Sequence, residues 1–163
     1  MALLSAFPVT NILGSASTSN PVYVTPTSSV STTGSNITLT ADYKTAGFFL
    51  NVVQTSGATS HSLDVYVQHS PDGGTTFDDF VHFPTINSSS PNANVAYKSY
   101  AVWLRDVAPT SSNQIVHTPA TQTLAANTVL FGPVGAVWRG VAVVNMASGT
   151  TPWKLNLTAQ VAQ

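Results

Sequence analysis

The chain contains no cysteine and no glutamate, and its charged residues are five Lys or Arg and six Asp among 163 positions. Without cysteine, neither a disulfide nor a thiolate metal site is available, so packing and sheet hydrogen bonds must hold the fold. Only 7% of residues are charged, against roughly a quarter in an ordinary soluble domain, so other groups must wet the surface. The cations stand singly at Lys44, Lys98, Arg105, Arg139 and Lys154. That scatter makes no basic face for phosphate neutralisation, which argues against nucleic acid as a partner. No apolar run reaches the ~18 residues of a spanning helix, so no membrane segment is expected. The opening Met-Ala-Leu-Leu-Ser-Ala-Phe-Pro has no basic residue and its apolar stretch is broken early, unlike a secretory signal.

What the chain has instead is 19 Ser, 22 Thr and 11 Asn, small side chains that hydrogen-bond without charge. With 43% hydrophobic residues, a mean hydropathy of +0.16 and a formal charge of −1, it lies far from the disordered class. A net charge so near zero gives little repulsion between copies and favours association. The length suits one domain, or one domain with an arm.

Helix formers are scarce, while ten Pro and ten Gly punctuate a chain dominated by Val, Thr and aromatics. Such side chains fit a pleated, half-buried surface, and the fold class expected is all-β, an antiparallel β-sandwich of jelly-roll type. The segment Trp153–Val161 alternates strictly, apolar at every odd position and polar at every even one, as a strand with one wet face does. Further strands are expected at about 21–25, 36–42, 46–54, 62–69, 77–83, 96–104, 128–131 and 135–144. Two of them, 46–54 and 135–144, are apolar on both faces, which marks central strands or strands covered by another subunit. Residues 1–35 are expected to form an extended N-terminal arm with one short apolar run, Val22-Tyr23-Val24, and residues 36–163 the sandwich. The tracts 86–94 and 108–122 read as loops.

The sharpest motif is Ser70-Pro71-Asp72-Gly73-Gly74-Thr75-Thr76-Phe77. It resembles the Asp-box of sialidase-like propellers and other β proteins, with Ser70, Asp72, Gly74, Thr76 and Phe77 in the matching places. Its role is a hairpin turn: Asp and Ser bond the loop backbone, Gly supplies a positive φ and the aromatic anchors the returning strand. One box, two arginines and no glutamate exclude a sialidase.

No catalytic constellation is expected. Asp78 and Asp79 are adjacent in a strand and point to opposite faces, so they cannot flank one bond, which leaves glycoside hydrolysis without its pair. Asp64, His69 and His82 share a hairpin. An unbroken ladder would set His82 opposite Val65, so the three do not converge on a metal. No metal or cofactor is therefore expected. The sequons at Asn36, Asn87 and Asn156 are about what such a Ser/Thr-rich composition gives by chance. Trp103, Trp138 and Trp153 leave one alternative from another class, a carbohydrate-binding module with an aromatic platform.

Three segments together carry a further resemblance: Ala46-Gly47-Phe48-Phe49-Leu50-Asn51-Val52-Val53, then 62–80 with its Val67-Gln68-His69-Ser70-Pro71-Asp72-Gly73-Gly74-Thr75-Thr76-Phe77, then Val137-Trp138-Arg139-Gly140-Val141-Ala142-Val143. They resemble small virion structural proteins of tailed bacteriophages, over roughly residues 46–83 and 136–161. Phe77 stands where that class usually has Trp. The resemblance implies a non-enzymatic capsid decoration or cement protein on the virion surface, assembled in the host cytoplasm. Its partners would be the major capsid protein or other virion subunits, and it would be a homo-oligomer, a trimer at local threefold positions. A tail-tube, neck or adaptor subunit is the second reading. The contacts are expected from the arm, with Val22, Tyr23 and Val24, and from Phe48, Phe49 and Trp138.

Overall fold

A computed structural model describes residues 9–13, 32–39, 43–54, 61–88, 95–105, 124–130, 134–145 and 153–162. Among these residues every regular element is a strand. One sheet contains β1 (Val9–Leu13), β11 (Trp153–Ala162), β4 (Thr45–Gln54) and β8 (Val95–Leu104), in that order across the sheet. The other runs β2 (Thr32–Thr33), β10 (Val137–Asn145), β5 (His61–Ser70), β6 (Asp78–His82) and β9 (Thr128–Val129). Two short strands join its flanks, β3 (Ile37–Thr38) on β10 and β7 (Ile86–Ser88) on β5. All pairings are antiparallel, and the two sheets pack as a sandwich.

Alternation decides what enters the core. On β11 the odd residues Trp153, Leu155, Leu157, Ala159 and Val161 are all buried, and they face Phe48, Leu50 and Val52 of the adjacent β4 ladder. The opposing sheet supplies Leu63, Val65 and Val67 from β5, and Trp138, Ala142 and Val144 from β10. Four rings meet at the centre. Phe80 lies 5.5 Å from Phe48, 5.3 Å from Trp138 and 6.5 Å from Trp103, in tilted or edge-on contacts. Such geometry sets the positive edge of one ring against the negative face of another, adding to the area buried.

The β5–β6 ladder carries a bulge. Gln68 pairs with Asp79 but Val67 pairs with Val81, so Phe80 is the extra residue and turns into the core beside Val81. Inserting one residue flips the facing of everything beyond it.

Two differences from the sequence reading concern strands. Ile86–Ser88, expected as loop, is a strand because Ile86 is buried and the Ser88 hydroxyl bonds both the N–H and the C=O of His61. Val9–Leu13, expected as part of an arm, pairs with β11 of its own sheet. The expected strand at Val22-Tyr23-Val24 and the loop at 108–122 lie outside the described residues.

Candidate functional site

The turn between β5 and β6 is organised around one carboxylate. Asp72 accepts hydrogen bonds from Thr75 N–H (3.0 Å), Thr76 N–H (2.8 Å), the Thr76 hydroxyl (2.8 Å) and the Ser70 hydroxyl (2.7 Å). Ser70 Oγ accepts in turn from Gly74 N–H at 2.6 Å, and Gly73 and Gly74 take φ values of +75° and +108° that only glycine adopts freely. These bonds favour the charged form and hold the Asp72 carboxyl at about 2, below its ordinary 3.8. The Thr76 backbone bond is the largest cause, followed by the Ser70 and Thr76 hydroxyls.

Because Asp72 ionises more readily in the folded chain, its stabilising contribution is complete above the ordinary value of 3.8. It is lost as the pH falls towards 2. Asp72→Asn is therefore expected to flatten the acid limb of a melting-temperature profile across that window. An unchanged limb would show that the turn is not an acid-labile element.

The aromatic of the turn is tied to the far strand. Arg139 on β10 places its guanidinium 3.6 Å above the Phe77 ring and donates from Nε to Gln68 Oε1 at 2.8 Å. Gln68 Nε2 then donates to Asp79 Oδ1 at 2.8 Å, so one relay crosses β10, β5 and β6 on the outer face of the sheet. Burial pushes the Asp79 carboxyl up and the Arg139 guanidinium down, each partly offset by its hydrogen bonds or charged neighbours. Tyr66, on the same face, is raised to about 12 by burial first and then by the charges of Asp64 and Asp79, so its hydroxyl stays protonated. A groove of about 280 Å³ runs over these side chains.

His82 corrects an expectation. Without the bulge it would pair with Val65 and face inward; with it, His82 pairs with Tyr66 and stacks on that ring at 4.1 Å. It thereby joins the face of Asp64, and Nε2 lies 3.1 Å from Asp64 Oδ1 while Nδ1 lies 2.7 Å from the Leu124 carbonyl. Thr85 Oγ1 also donates to Asp64 Oδ1, at 2.6 Å. Both ring nitrogens are thus engaged by groups of this chain. His69 faces the other way, accepting at Nδ1 from Gly135 N–H at 2.9 Å. Among the described residues no group of three or more His, Asp or Glu could hold a metal ion. Asp78 pairs with His69 and Asp79 with Gln68, on opposite faces of the sheet.

The expected contact residues separate sharply. Phe48 and Trp138 are 0% and 1% exposed inside the sandwich, so the inner face of each strand is covered by the opposing sheet rather than by another subunit. Trp103 and Trp153 are buried as well, which removes the tryptophan platform for a sugar. Asn156 is also buried. Phe49 is 44% exposed, and its ladder partner Tyr100 is 78% exposed beside Val102 at 45%. The last two were not singled out from the sequence, although alternation along β8 places residues 96, 98, 100 and 102 on one exposed face. Among the described strands none pairs with the outer edge of β8. A cleft of about 430 Å³ lies between that strand and the His82–Pro84 and Asn127–Val129 region.

No protein-family model, curated protein or solved structure matches this chain.

Proposed function

We propose that the chain is a non-enzymatic structural subunit of a bacteriophage virion, a capsid decoration or cement protein that works by burying surface against its neighbours. The observation that carries the reading is the apolar stripe of Phe49, Tyr100 and Val102 beside the edge of β8 that none of the described strands pairs. Large apolar side chains grouped on a sheet face mark a contact surface. An open edge offers backbone donors and acceptors to a strand from another chain. Phe49 also lies over Gly47, where a Cβ would come within 3.3 Å of its ring. The scarcity of ionisable side chains suits a surface that spends its working life covered.

On this reading the protein forms a homotrimer at a local threefold position on the capsid surface, assembled in the host cytoplasm. Sedimentation equilibrium is expected to give a trimer for the wild type. The double variant Phe49→Asp, Tyr100→Asp should give a monomer with an unchanged circular dichroism spectrum, and it should be absent from the particle fraction of a lysate. A wild-type monomer, or a double variant that still joins particles, would refute the assignment of this face.

A further inference from the structure

The groove on the outer face of the other sheet is built differently from a packing surface. Its floor is polar and already fixed: Arg139 is held by Phe77 and Gln68, Gln68 by Asp79, and Tyr66 by its stack on His82. Val141 and Val143 supply the apolar remainder. Side chains locked before a ligand arrives lose little entropy on binding, which is the main cost of recognition by long polar residues.

The unused valences define the ligand. Arg139 spends only Nε on Gln68, leaving the two terminal nitrogens as donors. The protonated Tyr66 hydroxyl both donates and accepts, and Gln68 and Asp79 keep acceptor capacity. One cation, Arg139, stands among two carboxylates, Asp79 and Asp64, of which Asp64 is also engaged by His82, Thr85 and Asn145. That balance disfavours an anion, while the guanidinium disfavours a metal cation. A neutral molecule carrying several hydroxyls on an apolar ring meets every requirement. The 280 Å³ groove is of the size of a pyranose with its substituents.

We propose that the groove over Tyr66, Gln68, Asp79, Arg139, Val141 and Val143 binds a neutral hexose or N-acetylhexosamine unit of a glycan. Adjacent hydroxyls bridge Asp79 and the Arg139 terminal nitrogens, and the ring lies along the two valines. The site is on the opposite sheet from the contact stripe and stands whether or not that stripe binds a capsid.

The test is a titration of isotopically labelled protein, followed by amide NMR shifts, with glucose, galactose, mannose, N-acetylglucosamine, N-acetylgalactosamine and dextran. Sialic acid and sulfate serve as anionic controls. At least one neutral sugar should give saturable shifts centred on residues 66–68, 79 and 139–143. Asp79→Asn, which is isosteric, and Arg139→Gln, which removes the guanidinium, should each weaken it about tenfold, as losing a charge-assisted hydrogen bond does. Native spectra of the variants establish that the fold survives. Silence from the whole neutral panel overturns the proposal. So does binding only of the anions, shifts centred elsewhere, or saturable binding that both variants leave unchanged.

Discussion

Gly135→Ala is expected to destabilise the protein by at least about 3 kcal/mol, the upper end of what overpacking costs in a rigid setting. A Cβ at this position would overlap the backbone carbonyl of Ser70, and carbonyl and glycine are both pinned. Gly135 N–H donates to His69 Nδ1 at 2.9 Å, and Gly135 C=O accepts from the Trp138 indole at 2.7 Å. Ser70 meanwhile ends the ladder with β10 and opens the Asp72 turn. Neither side of this junction can retreat without breaking one of these bonds. Urea unfolding of the variant should show a lower midpoint with an unchanged slope. A midpoint equal to the wild type would mean that the segment before β10 moves freely.

Trp138→Ala should lower stability by about 3–5 kcal/mol, the usual loss for a large buried aromatic. The indole contacts Phe48, Phe80 and Trp103 at centroid distances of 5.5, 5.3 and 5.7 Å, and its N–H satisfies the Gly135 carbonyl. Removing it leaves a cavity where the sheets meet and an unbonded acceptor beside it. For a chain of this length that corresponds to a fall of roughly 10 °C or more in Tm. If Trp138 instead served an intersubunit contact, the isolated variant would melt like the wild type and lose only its partners. Calorimetry on the purified protein distinguishes the two.

The sequence carried the fold further than the sites. Strict alternation in 153–161 identified the inward residues of β11 one by one, because a single wet face imposes a period of two. The dry strands 46–54 and 135–144 were recognisable as central. However, an apolar residue does not announce which surface covers it, and so Phe48 and Trp138 read as well for an interface as for a core. The Ser70–Phe77 turn was legible because its chemistry is local, all within eight residues. The Asp64–His82 contact was not. It depends on one extra residue at Phe80, and no period or motif marks a bulge in advance. The relay from Arg139 through Gln68 to Asp79 joins positions up to 71 apart, and only the strand order brings them together.

The edge of β8 that no described strand pairs also bears on how the chain behaves when it is concentrated. Ten residues of strand at about 3.3 Å each present a rail of backbone groups some 33 Å long. Lys98 is the only charge along it, and a formal net charge of −1 does little to keep two copies apart. Any extended segment can in principle template on such a rail, including the same strand of another copy. In the assembly proposed above, the dangerous interval lies between release from the ribosome and capture by a partner. The hazard grows with concentration, so under that proposal the timing of synthesis would govern solubility as much as composition does.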